Sequence, residues 1–220
     1  WKVYAGQLAL DSSVPVLNEP GRVYAPADFG LGTKTPPTIS GAEQLDACRT
    51  CGFYRLVYGG TVCGVFFNFA NLSVYNIYGD ECVQEVRPIN SNCCLRRFWF
   101  NGSWSGWEIE NPPMSPGVEY RTTERYNGKP VYVKLINFGN LPNTGNKDVA
   151  FYSDETVRPI SVATQVGKEL DSLYMTIPAH FGGYGFWVSA VNYKTIRITT
   201  EQNNSDLQAR VIVKYWKSTD

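Results

Sequence analysis

The sequence predicts a mainly β protein of two modules: an antiparallel meander with one short helix, followed by a β-sandwich or jelly-roll-like domain. Three observations carry this expectation. After Gly52 the apolar period is two, in short runs separated by turn residues at roughly ten-residue spacing, which suits a meander rather than βαβ units. Only the segment after Ser40 carries helix signals. The last run, Leu207–Trp216, alternates aliphatic and polar residues, as in a sheet with one solvated face.

Residues 1–38 are rich in Pro and Gly, including Pro15, Pro20, Pro26, Pro36 and Pro37. They read as an extended lead-in that packs on neighbours, with at most a short strand at Lys2–Leu10. The first module spans 39–112. Ser40-Gly41-Ala42-Glu43 reads as a capping box, in which Ser40 and Glu43 each bond the other's amide. Leu45, Cys48 and Cys51 then form an apolar stripe, and Gly52 stops a helix of about three turns. Strands are expected at Phe53–Val57, Val62–Phe69, Leu72–Tyr78, Val83–Ile89, Cys94–Phe100 and Ser103–Glu108. Gly59-Gly60, Asn71, Gly79-Asp80, 90–92 and Asn101-Gly102 separate them, and Asn101-Gly102 is the strongest hairpin signal.

Asn111-Pro112-Pro113 ends this module, because proline cannot continue a central ladder. Residues 113–128 read as a polar hinge. Glu119, Arg121, Glu124, Arg125 and Lys129 carry both signs over 119–129, as a solvated strap by preference, or as ion pairs within the chain or between the chains of a trimer. The second module spans 129–220, with strands at Val131–Phe138, Ile160–Gln165, Ser172–Ile177, Gly185–Val191, Thr195–Thr200 and Leu207–Trp216. It has no expected helix.

Twenty basic and twenty acidic residues give zero net charge. No long-range field draws nucleic acid or an anionic membrane toward the chain, and no apolar run is long enough to enter and span a bilayer. Charged residues are 18% and aromatics 14%, a balance that suits neutral partners such as sugars, or a protein interface. Residue 1 is Trp rather than Met, so the chain reads as a fragment and the lack of a leader says little.

The six cysteines, Cys48, Cys51, Cys63, Cys82, Cys93 and Cys94, all fall in the first half. Three readings stay open: reduced core thiols of a protein made in the cytosol, disulfides, or zinc. The adjacent Cys93-Cys94 do not give the paired spacing of a zinc knuckle. A single histidine excludes a His-rich metal site, and neither a metal nor another cofactor is expected.

Binding candidates come from aromatic residues beside glycines. His180, Phe181, Tyr184 and Trp187 share a run with Gly182, Gly183 and Gly185. Their rings can stack on sugar faces, unless Phe186 and Trp187 re-enter the core. Tyr152 and Asp154 belong to a second loop with sugar-compatible chemistry. Trp99, Trp104 and Trp107 are expected to pack the first core. Catalytic signals are few. There is no Gly-x-Ser-x-Gly elbow, so a serine hydrolase is unsupported. Carboxylate pairs exist at Asp80-Glu81, which sits in a turn, and at Glu108 and Glu110, about 7 Å apart on one strand and nominally at an inverting glycosidase separation. The chain is expected not to be an enzyme.

Two sets of motifs carry a family resemblance. Ser40-x-x-Glu43, Leu45-Asp46, Gly52-Phe53-Tyr54, Gln84, Arg97-Phe98-Trp99 and Asn101-Gly102-x-Trp104-x-x-Trp107-Glu108 occur in the order found in a tail-fibre knob. The first module therefore resembles the knob domain of pyocin-type and phage tail fibres, over roughly 40–110. The cysteines depart from that pattern. Asn111–Met114, Gly117–Arg125, Gly128–Lys134, Asn137–Asn143 and Val213–Asp220 are similar to the domain that follows such knobs in tail proteins of gut phages and prophages. The resemblance implies a virion component at a fibre tip, made in the bacterial cytoplasm. It implies a homotrimer joined to an upstream fibre shaft, with a bacterial cell-surface receptor, a glycan by preference. The alternatives are a secreted carbohydrate-binding module and a polysaccharide depolymerase.

Overall fold

The structure is a computed structural model that describes residues 36–153, 156–168, 175–177 and 185–220. It is mainly β, and the chain divides into two compact units, Trp1–Trp107 and Glu108–Asp220. Most of the 1–38 lead-in lies outside the described residues. Among them, no helix is long and apolar enough to cross a membrane.

The first unit starts with β1 (Thr38–Ser40) and α1 (Gly41–Ala47). It continues with β2 (Gly52–Val62), β3 (Val65–Tyr78), β4 (Glu81–Pro88), β5 (Cys94–Phe100) and β6 (Ser103–Trp104). β2 to β5 form the expected antiparallel meander, and β1 adds to β2 in parallel. The helix is shorter than expected and ends at Cys48. Its capping also differs. Ser40 makes no side-chain cap, and Gln44 rather than Glu43 reaches back to accept the Ser40 N–H at 2.7 Å.

Two expected breaks are not turns. Gly59-Gly60 lies within β2 at a register shift, and Asn71 sits inside the continuous β3 opposite Arg55 and Arg87. The hairpin turns instead at Cys63-Gly64, with φ of 47° and 77°. That is the left-handed pair a two-residue turn requires, and Asn101-Gly102 provides the same pair at 49° and 78°.

All six cysteines are free thiols. Burial raises the thiol pKa of Cys48, Cys82 and Cys94 and keeps those groups neutral. Among the described residues no group of three or more His, Cys, Asp or Glu side chains could hold a metal ion.

The second unit holds β7 (Glu108–Glu110), β8 (Glu119–Tyr126), β9 (Lys129–Asn140), β10 (Gly145–Ala150) and β11 (Val157–Gly167). β12 (Met175–Ile177), β13 (Phe186–Asn192), β14 (Thr195–Thr200) and β15 (Gln208–Lys217) complete it. One sheet runs β7-β8-β9-β15-β11-β12 and the other β10-β14-β13. A shared core joins them: Tyr132, Ile136 and Phe138 from β9, Val211, Val213 and Tyr215 from β15, Phe186 from β13, and Ile196 and Ile198 from β14. This is the sandwich that the alternation of β15 predicts. Ala209, Val211, Val213 and Tyr215 are fully buried on one face of that strand.

The expected hinge at 113–128 is largely strand. Glu119–Tyr126 pairs with β9 through a third left-handed turn, Asn127-Gly128. Tyr120 and Thr122 are buried there, and the charges are engaged rather than merely solvated. Glu119 binds Lys217, Glu124 binds Lys214, and Arg125 binds Glu108.

Candidate functional site

The residues that carry the knob resemblance meet in space. Arg97, on the buried face of β5, lies between two indoles, 4.1 Å from the Trp104 ring and 4.3 Å from that of Trp107. Its guanidinium pairs with Asp46 at 2.7 Å and donates to Gln84 Oε1 at 2.9 Å. Gln84 in turn donates to the carbonyls of Leu45 and Cys48 at 2.7 and 2.6 Å, satisfying the end of α1. Trp104 Nε1 donates to the Asp46 carbonyl, and Trp99 meets Trp104 edge to face. Burial lowers the Arg97 pKa and Asp46 opposes that shift. Arg97 Nε and Nη2, the Gln84 amide and the Trp104 indole all have partners within the cluster, which ties helix to sheet.

Of the sequence candidates, Trp187 and Tyr152 lie among the described residues; His180, Phe181, Tyr184 and Asp154 lie outside them. Strand alternation separates the two. Phe186 enters the core and Val188 packs on it, which sends Trp187 to the opposite, outward face of β13. Tyr152 instead packs on that core, edge-on to Tyr215 at 5.8 Å, with the Lys217 ammonium 5.2 Å from its ring.

Around Trp187 the three-stranded sheet forms an ordered outward patch. Trp187 stands opposite Thr199, and Thr199 opposite Asn146. In the next row Ser189, Arg197 and Asp148 align in the same way. The two rows span about 10 Å across the strands and about 7 Å along them. Thr199 donates its hydroxyl to Asn146 at 2.7 Å. Arg197 holds Asp148 through two parallel bonds of 2.7 Å. That pairing lowers the Asp148 pKa and raises that of Arg197.

One aromatic ring beside a planar ion pair, a hydroxyl and an amide suits a sugar, which needs an apolar face to stack on and polar groups for its hydroxyls. Gly185 fixes where β13 begins. Its φ is 48°, and a Cβ there would fall 2.8 Å from Glu201 Oε2. Sequence reading found the ring and missed Asn146, Asp148, Ser189, Arg197 and Thr199. The Thr195–Thr200 alternation was a usable signal for β14, whereas nothing in Gly145–Ala150 marks a strand.

Glu108, the carboxylate singled out for possible hydrolysis, is buried. Arg125 Nη2 reaches both of its oxygens at 2.6 and 2.8 Å, and Arg121 lies 3.5 Å away. Glu110 is exposed. The first unit also has an outward aromatic surface. Phe53 and Tyr75 meet edge to face at 6.5 Å on the outward side of the meander, and Tyr75 is in register with Val83 and Phe98. The row beside it on that face, Phe53, Ser73, Glu85 and Arg96, holds an ion pair of its own, Arg96 to Glu85 at 2.5 Å.

No family model matches the sequence, and no curated protein matches it. Among solved structures the chain is similar to an N-truncated R2-type pyocin tail fibre, at 10% identity and a TM-score of 0.28, covering 80% of this chain and 95% of that one. It is also similar to C-terminal parts of the P. aeruginosa R2 and R1 pyocin fibres. For R2 the identity is 10% and the TM-score 0.29, with 82% of this chain and 67% of that one covered. For R1 the values are 11% and 0.29, with 83% and 68% covered. Identities and scores this low leave any fibre reading to the sequence motifs.

Proposed function

We propose that the chain is the receptor-binding distal part of a phage-type tail fibre, carried on the virion, and that it recognises a bacterial surface glycan. One observation carries the reading. The positions through which the first module resembles a fibre knob, Asp46, Gln84, Arg97, Trp104 and Trp107, are scattered in sequence and close on one another in space. Short words matched by chance would have no reason to be each other's partners. The Trp187 patch supports a sugar as ligand.

The resemblance also carries a homotrimer on an upstream shaft, in which weak sites act together through multivalency. The exposed Phe53–Tyr75–Phe98 row suits contact between copies. Free thiols favour a cytosol-made component over a secreted, disulfide-stapled module. We assign no hydrolytic role: Glu108 has both oxygens held by Arg125, which favours a structural carboxylate.

Fluorescently labelled chain with its natural upstream segment is expected to stain host cells and to compete with particle adsorption. Trp187→Ala is expected to weaken both by about tenfold, the scale of one lost stacking contact. Absence of staining across a panel of candidate hosts, or a monomer by light scattering, would overturn the reading.

A further inference from the structure

Beyond Thr199 the solvent side of the three-stranded sheet ends in a carboxylate, Glu201. The ladder runs one step past β14 to reach it: the Glu201 N–H donates to the Gly185 carbonyl at 2.6 Å. Thr200 is buried in the core and Glu201 is exposed, so Glu201 falls on the side of Thr199 and Arg197. Its side chain lies against Gly185, two residues before the half-buried Trp187, in the space that a Cβ would take. Arg197, Thr199 and Glu201 are thus alternate residues of one segment, about 7 Å apart in turn, and Trp187 stands across from the middle one.

The charges of this row do not cancel. Arg197 is matched by Asp148 through Nε and Nη2, which leaves Nη1 without a bond among the described residues. Glu201 forms no ion pair among them. One guanidinium and two carboxylates leave one negative charge in excess on the outward positions of this sheet. Lys147 does not offset it, because it is in register with the core residue Ile198 and donates to the Phe138 carbonyl. Lys194 lies in the β13–β14 turn, about 24 Å from Glu201 along the strand and well beyond the screening length of roughly 8 Å at physiological salt. A carboxylate accepts sugar hydroxyls as short, charge-assisted hydrogen bonds, whereas a carboxylate on the sugar meets the excess charge. Arg197 Nη1 adds a donor and the Trp187 ring an apolar face.

We propose that the Trp187 patch takes a neutral hexose and discriminates against the matching uronic acid, with Glu201 as the residue that sets this preference. The sugar ring stacks on Trp187, one of its hydroxyls donates to Glu201, and another, on the same or the next sugar unit, accepts from Arg197. The proposal rests on the glycan-receptor reading and deepens it, by naming an uncharged sugar as the unit recognised.

Matched pairs test it: the methyl glycosides of glucose, galactose and mannose, each against its uronate, titrated into the full chain and followed by backbone amide and indole N–H chemical shifts. At least one neutral member is expected to give saturable shifts at Trp187, Thr199 and Glu201. Its uronate should bind about three- to fivefold more weakly at low salt, the scale of one exposed charge interaction, and the gap should close as salt is added. Glu201→Gln keeps an acceptor and removes the charge, so the neutral sugar should bind about as before and the uronate should recover most of its deficit. Glu201→Lys, at the same exposed position, should reverse the preference. Trp187→Ala should weaken both members. Uronates that bind as tightly as their neutral partners, no shift at the patch with any of the glycosides, or a ratio unchanged in both Glu201→Gln and Glu201→Lys would overturn the proposal. Host-cell staining that a uronate competes and its neutral partner does not would also overturn it, while leaving the receptor reading intact. Binding of the neutral sugar without staining of any host would support the site and remove the receptor reading.

Discussion

Two arginine–aspartate pairs, one in each unit, have the same closest distance and opposite roles. Arg97 meets Asp46 at 2.7 Å, and Arg197 meets Asp148 at 2.7 Å. Arg97 is 6% exposed, enclosed by two indoles and tied through Gln84 to the end of α1. Arg197 is 34% exposed on the outward face of a sheet, and Asp148 is its one ion-pair partner among the described residues. Desolvation makes the difference. A buried guanidinium has to find all its partners within the protein, which makes it a fastener; an exposed one keeps water-facing capacity that a ligand can use.

The comparison is broken most directly at the buried pair. Arg97→Ala removes the filling between Trp104 and Trp107 and leaves the Gln84 Oε1 without its donor. A loss of about 3 kcal/mol is expected, in the range for cutting a buried charged network. It should appear in denaturant unfolding as an earlier transition of the first unit. Arg97→Lys keeps the charge and loses the planar fork and both ring contacts, so about 1–2 kcal/mol should still be lost. An unchanged midpoint in Arg97→Ala would mean that the cluster does not hold α1 to the sheet.

A smaller effect is expected at the aromatic end of the second core. Tyr215 is fully buried, stacked on Tyr132 at 5.8 Å, and gives its hydroxyl to Glu119. Tyr215→Phe should cost about 1–2 kcal/mol, one hydrogen bond to a charged acceptor. Both phenols have raised pKa values, chiefly because of burial, and Tyr132 is pushed up to about 12 with Asp220 beside it. Raised phenol values stabilise the fold fully below the unfolded value of about 10, where both states are neutral. Above that, the unfolded chain ionises first. Stability should therefore fall as pH rises from about 10 toward about 12, and the fall should be shallower in Tyr132→Phe. Thermal unfolding across that window measures it.

These networks also show why the sequence was only partly legible. The alternation of β15 and the Asn101-Gly102 hairpin are local signals, and both hold in the structure. The run Glu119–Lys129 reads as a solvated strap because it holds both signs in a short stretch and exposed pairs contribute little. Its charges find Lys214, Lys217 and Glu108 only once β8, β15 and β7 come together. The flanking Asn127-Gly128 was the local clue to that strand. In β2, Gly59-Gly60 looked like a turn, yet a bulge absorbs the extra residue and the ladder continues. At the candidate site, the glycine-flanked aromatic run pointed to Trp187. Its neighbours Asn146 and Asp148 are set by cross-strand register, which no short window of sequence contains.

The smallest effect on stability, and the sharpest contrast with Arg97, is expected at Arg197. Arg197→Ala cuts an exposed pair, so the unfolding midpoint should stay where it is in the unchanged chain. Cell staining should nevertheless weaken, because the planar ion pair beside Trp187 is lost. The pair's response to acid gives an independent check. Its bond to Arg197 depresses the Asp148 pKa, so the pair is fully formed above the usual carboxylate range and is lost only as pH falls through the lowered value. Staining through this patch should therefore persist into mildly acidic medium and fail only in more acidic solution. In Asp148→Asn that acid limb should disappear, since no carboxylate remains to titrate. If Arg197→Ala instead lowers stability as much as Arg97→Ala, the outward patch is a second fastener and the distinction between the two pairs collapses.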